Sequence, residues 1–111
     1  MDVTVRELEA YLHHNYGHWA NEQGLFMKLI EEIGEVAETL NMRCGRKQAD
    51  QVDLQAQLAN ELADVMHYTV AIAAVNGIDL TQTILAKDKK ASIKYHHDTN
   101  LESFIQNHNH H

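Results

Sequence analysis

Apolar residues recur every three or four positions along most of the chain, the spacing of amphipathic helices. Val5, Leu8 and Leu12 line one face of a first helix, expected over about residues 5–14. Thr4, with Glu7 three positions on, is a capping-box start for it. The stretch NYGHWANEQG is a connection, and a second helix is predicted from Glu22 to Arg43 with Gly45 as its stop. The polar loop CGRKQADQ precedes a third helix, about Val52 to Asn76, ended by Gly77. Asp79 with Gln82 repeats the capping pattern and opens a fourth helix running to about His96. From Asp98 the tail has one apolar cluster, Leu101, Phe104 and Ile105, suited to a short fifth helix or an arm. No strand-like alternation of four or more residues interrupts this pattern, and no internal repeat is present. Short loops between long helices favour antiparallel neighbours. The predicted fold is all-α: a four-helix bundle forming one domain over residues 1–97, followed by a C-terminal arm or tail over 98–111. The terminal NHNHH is low-complexity and is assigned no function.

Composition sharpens this picture. The 111 residues contain no proline, where ordinary usage of about 5% would supply about five or six. Proline breaks helices, so its absence favours a mostly helical chain. The formal net charge of −7 argues against a nucleic-acid duplex as partner. The charge is uneven: glutamates gather in the middle, and Lys87, Lys89, Lys90 and Lys94 cluster near the C-terminus. No apolar run reaches the roughly 18 residues of a membrane span, so no membrane association is expected. The acidic, polar start MDVTVRELEAYL does not read as a signal peptide. A single cysteine, Cys44, excludes an internal disulfide and fits a cytoplasmic setting.

The informative stretch is KLIEEIGEVAETL, residues 28–40, which carries Glu31, Glu32, Glu35 and Glu38. At about 100° per residue, Leu25, Leu29, Val36 and Leu40 fall within about 80° of Glu32, and Glu35 lies about 60° to the other side. Glu32 and Glu35 therefore edge the apolar stripe, with Glu31 and Glu38 further round. The third helix repeats this arrangement. Leu54, Leu58, Val65 and Ile72 lie within about 60° of Glu61, Tyr68 and Val75 share that face, and Asp64 is about 60° away. One ExxE on a helix is usually a solvated face. Two acid pairs that both flank an apolar stripe are rarer, and on facing helices they would bring four carboxylates together. Buried unpaired carboxylates are costly. Lys28, one turn before Glu32, is the cation near this face, and one lysine cannot neutralise four acids. A hard divalent cation with oxygen ligands, Mg²⁺ or Mn²⁺, is the better answer.

LIEEIGEVAETL, followed on the next predicted helix by ELADVMHYTVAIAAVNGIDL, resembles the MazG-like all-α nucleoside triphosphate pyrophosphohydrolases. The resemblance covers most of the chain and joins an EExxE motif to an ExxD motif. It implies that Glu32, Glu35, Glu61 and Asp64 bind Mg²⁺, and that Glu31 and Glu38 assist or hold the attacking water. It implies cleavage of the α–β phosphoanhydride of a nucleoside triphosphate to monophosphate and pyrophosphate, as house-cleaning or pool control, by a homodimer or homotetramer. Many relatives end the fourth helix with a pattern like K…N..KYP. Here Lys87, Lys94 and Tyr95 match, but Ala91 stands at the asparagine and His96 at the proline. Lys28, Lys87, Lys90, Lys94 and Tyr95 are candidate substrate contacts on this reading.

Other residues weigh less. Trp19, just before the second helix, is a candidate to stack on a base; Phe26 and Tyr68 read as packing residues. His67 follows Asp64 by three, a single partial copy of what a di-iron bundle needs twice. Val70 lies roughly opposite Ile72, so the third helix is expected to bury two faces, which points to a partner subunit. Two alternatives stand beside the hydrolase: a non-catalytic helical adaptor, which need not keep all four acids, and a phosphoribosyl-ATP pyrophosphatase-like enzyme.

Overall fold

The computed structural model describes residues 1–17, 21–45 and 53–108. These form five helices and, among the described residues, no strand: α1 (Val5–Tyr16), α2 (Glu22–Arg43), α3 (Leu54–Val75), α4 (Leu80–Lys94) and α5 (Leu101–His108). The all-α expectation holds, and the tail beyond Asp98 contains a fifth helix. No single helix among the described residues is long and apolar enough to cross a membrane.

The helix ends follow local chemistry. Thr4 and Glu7 close the expected capping box, with the Glu7 N–H donating to Thr4 Oγ1 and the Thr4 N–H to Glu7 Oε1, each at 3.0 Å. Asn21 caps α2 and Asp53 caps α3 through side-chain oxygens that accept from Gly24 and Ala56 N–H. Asp79 accepts from the Gln82 N–H. Gly45 and Gly77 both take left-handed backbones, φ +80° and +67°, as helix stops require. The fourth helix ends at Lys94, short of the expected His96. His96 itself turns left-handed at φ 57°, and the His97 N–H returns to the Ser92 carbonyl at 2.9 Å. That closure ends the helix without a glycine.

The described residues divide into two compact units, Met1–Ile78 and Asp79–His111. In the first, α2 and α3 pack antiparallel. Asn76 at the end of α3 donates to Glu22 Oε1 at the start of α2 (2.8 Å), while Thr39 near the end of α2 bonds to Glu61 in the first half of α3. α1 packs on α3, and the Tyr16 hydroxyl meets His67 Nε2 at 2.9 Å. Leu12, Leu25, Val70, Ala71, Ala73 and Ala74 form the buried core. The alanines let helices approach closely, and burial of Leu12 alone contributes about 1.5–3 kcal/mol.

Val70 requires a correction to the sequence argument. It is buried within this chain, on a helix against which both α1 and α2 pack. It therefore gives no evidence for a partner subunit. Exposed apolar residues lie elsewhere: Phe26, Ile30, Ile33 and Leu40 on α2, and Leu62 and Met66 on α3. On each helix this row lies about 80–160° from the shared seam in the same rotational sense. Antiparallel packing turns both rows to one side of the pair, opposite the side that carries Glu31, Glu35 and Asp64.

In the second unit α5 packs on α4. Asp88 Oδ2 of α4 accepts from the Leu101 N–H at 2.6 Å, and Asn100 Oδ1 accepts from the Ser103 N–H at 2.9 Å. Both bonds satisfy first-turn donors of α5. Leu101 is half-buried, whereas Phe104 and Ile105 of the same apolar cluster stay exposed.

Candidate active site

The two acid motifs occupy the middle turns of α2 and α3, and their residues differ in depth. Glu61 is buried at 7% exposure, Glu32 is half-buried, and Glu31, Glu35, Glu38 and Asp64 are exposed. The spacing placed all four candidate ligands beside the core; only Glu61 and Glu32 enter it. Asp64, on the next turn from Glu61, is exposed.

Glu32 is the electrostatic centre. Burial pushes its carboxyl above the ordinary range, and a hydrogen bond with Glu35 and the charges of Glu35, Asp64 and Glu31 push it further the same way. Its Oε2 is buried with no hydrogen-bond partner. Glu31, Glu35 and Asp64 thus stand close enough to Glu32 to repel its charge. Lys28 answers only part of this charge: its Nζ lies 3.4 Å from Glu31 Oε2 in an exposed pair. Lys28 also favours ionisation of the Tyr68 phenol, while burial, first, and then Tyr16, Glu32 and Asp64 push that phenol up. Tyr68 therefore stands at the acid cluster, beyond the packing role read from its position.

Glu61 is held differently. The Thr39 hydroxyl donates to Glu61 Oε1 at 2.5 Å, and Gln57 Nε2 donates to Thr39 Oγ1 at 3.0 Å. Sequence reading missed both partners. The available signal was a threonine about 20° from Glu32 on the apolar face of its helix, and a glutamine one turn before Glu61. His67, bonded to Tyr16, has a structural partner instead of a metal-ligand geometry.

Among the described residues no three His, Cys, Asp or Glu side chains converge as placed on a point that could hold a metal ion. The chemistry of the donors nevertheless fits a hard divalent cation. A buried carboxylate oxygen without a partner, beside carboxylates that Lys28 offsets only in part, is the condition a cation relieves. Glu35 already meets Glu32, and Asp64, being exposed, is free of packing that would fix its rotamer.

Lys87, Lys90, Lys94 and Tyr95 belong to the second unit and are exposed; Lys94 Nζ sits 5.4 Å from the centre of the Tyr95 ring. Trp19 falls outside the described residues. Cys44 is exposed, its Sγ donating to the Asn41 carbonyl.

Comparison with known proteins bears on this site directly. The MazG nucleotide pyrophosphohydrolase domain matches residues 20–99, which include every candidate carboxylate. The chain is similar to dCTP pyrophosphatase 1 of Rattus norvegicus, with 29% identity over 89 residues, covering 78% of this chain and 52% of that protein. The Bos taurus protein of the same name is 28% identical over 89 residues, covering 78% and 53%. The chain thus spans about half the length of these curated relatives. Among solved structures it is similar to iMazG from Vibrio DAT 722, with a TM-score of 0.60 and 28% identity, covering 84% of this chain and 98% of that one. The acids on paired helices and the match across most of the chain agree: this protein belongs to the MazG nucleotide pyrophosphohydrolase domain family.

Proposed function

We propose that the protein is a divalent-cation-dependent nucleoside triphosphate pyrophosphohydrolase that releases a nucleoside monophosphate and pyrophosphate. The observation that carries this reading is the partnerless buried Glu32 oxygen among carboxylates that raise its proton affinity. On this reading Glu32, Glu35, Glu61 and Asp64 hold Mg²⁺, with Mn²⁺ as a substitute. When bound, the cation reverses the local charge, polarises phosphoryl oxygens and acidifies water. Glu31 and Glu38 accept hydrogens of the attacking water. The water oxygen bonds to the α-phosphorus as the bridging oxygen leaves with pyrophosphate. Lys28 offsets charge beside Glu31. Lys87, Lys90, Lys94, Tyr95 and Trp19 enter the proposal as substrate contacts. Deoxycytidine triphosphate is the first substrate to test, since dCTP pyrophosphatase 1 is among the relatives. The proposal keeps the cytoplasm as the setting and residues 1–97 as the catalytic domain.

The test is product analysis over a panel of nucleoside triphosphates with Mg²⁺, with Mn²⁺ and with EDTA. Pyrophosphate and monophosphate should appear only with a divalent cation. Full turnover in EDTA would falsify the metal dependence; diphosphate and inorganic phosphate as products would overturn α–β cleavage.

The exposed apolar row on α2 and α3 supports a homodimer or homotetramer. Contiguous apolar surface on one side of a helical pair is a contact surface. Light scattering at micromolar concentration should give at least twice 12.7 kDa, and Ile30→Glu with Leu62→Glu should shift it to the monomer. A 12.7 kDa parent would end the oligomer reading.

A further inference from the structure

Thr39 is fully buried, at 0% exposure, in the seam between α2 and α3. Valine has its shape and would suit this apolar position better, since a buried hydroxyl must find partners. This one has two. A hydroxyl has a single proton, and an amide nitrogen only donates. Gln57 Nε2 donates to Thr39 Oγ1 at 3.0 Å, so the threonine oxygen accepts there and its proton goes to Glu61 Oε1 at 2.5 Å. The chain has one direction, from amide to hydroxyl to carboxylate. Gln57 and Glu61 are one turn apart on one face of α3, and Thr39 reaches between them from α2. Glu61 Oε2 takes no part in this chain.

We propose that Thr39, oriented by Gln57, is a positioning residue that holds the Glu61 carboxylate in the rotamer that presents it to the cation. This rests on the metal-site reading above. Stability alone accounts poorly for the arrangement. A buried carboxylate with a neutral donor gains little over an apolar pair of similar volume. A ligand held before the ion arrives is what partners behind a metal ligand provide. Glu35 and Asp64 are exposed and lack such a clamp, so Glu61 is the fixed ligand around which they assemble.

The experiment is calorimetric titration of the full chain with Mn²⁺, using the parent, Thr39→Val, Thr39→Ser, Glu61→Gln and the double variant Thr39→Val/Glu61→Gln, with a thermal melt of each. Thr39→Val should weaken Mn²⁺ binding by about tenfold or more, on the scale seen for partners of metal ligands. Thr39→Ser keeps the hydroxyl and should bind within about threefold of the parent, even if the lost methyl lowers its melting temperature. In the Glu61→Gln background Thr39→Val should cost nothing further. Parent-like binding by Thr39→Val, equal losses in Thr39→Ser and Thr39→Val, or additive losses in the double variant would each overturn the positioning role while leaving the metal site intact. A parent that binds no Mn²⁺ would overturn the metal-site reading and this proposal together.

Discussion

Replacing Glu32 by glutamine is expected to raise the melting temperature of the metal-free protein while cutting turnover by about a hundredfold or more, the scale of lost charge stabilisation in a transition state. The substitution keeps the shape and removes one charge. That charge is half-buried, one of its oxygens has no partner, and Glu35, Asp64 and Glu31 repel it. Without a cation it opposes folding; with one it is a ligand. The sign with pH follows. A carboxyl whose folded pKa is raised holds its proton more tightly in the native state. Its favourable contribution is complete below the ordinary 4.5 and is lost as pH rises through the raised folded value. The glutamine variant should therefore gain most at neutral pH, and its advantage should shrink as pH falls toward 4.5. Mg²⁺ at a hundred times its Kd should stabilise the parent by about 2.7 kcal/mol, and the variant by less at the same concentration. Melts of both proteins across pH, in EDTA and in Mg²⁺, check this. A variant that melts lower in EDTA and responds to Mg²⁺ like the parent would make Glu32 a structural group.

The two acids of the ExxD motif should part company in stability while agreeing in activity. Glu61→Ala removes the acceptor of a fully buried hydroxyl and leaves a gap in the α2/α3 seam. Stranding the Thr39 hydroxyl costs about 1–3 kcal/mol, and the melting temperature should fall by roughly 5–15 °C. Asp64 is exposed and adds to the repulsion on Glu32, so Asp64→Asn should leave the metal-free melting temperature unchanged or raise it. Both should lose turnover by about a hundredfold or more, because both are assigned to the cation. Melts and rates on the two variants decide. Equal melting temperatures would mean that the Thr39–Glu61 bond contributes nothing to the fold. Parent-like turnover in either would remove that residue from the site.

What could be read along the chain was what neighbours in sequence decide. Thr4 with Glu7 starts a helix because their groups satisfy each other within one turn. Gly45 and Gly77 stop helices because their backbones enter the left-handed region. The direction of each carboxylate followed from the constant rotation per residue, which put Glu61 on the buried face and Asp64 at its edge. The missing proline and the two acid motifs pointed to an all-α fold in the family that the residue 20–99 match identifies.

Depth was another matter. A rotation angle says which way a side chain points, and the element packed opposite says what it meets. Glu32 and Glu61 stand at equivalent places on their helices, yet α2 sets Thr39 against Glu61 and no donor reaches Glu32 Oε2. By rotation alone Val70 faces away from the α3 stripe, yet the chain's own packing buries it, while the row from Phe26 to Leu40 on α2 stays bare. Thr39 and Glu61 are 22 residues apart and Thr39 and Gln57 are 18 apart. Contacts at that separation depend on the register in which α2 and α3 dock, and that register is set by the summed packing of both faces. The helices and the bearing of their acids were therefore written locally, and which acid is clamped and which lacks a partner was decided when the helices met.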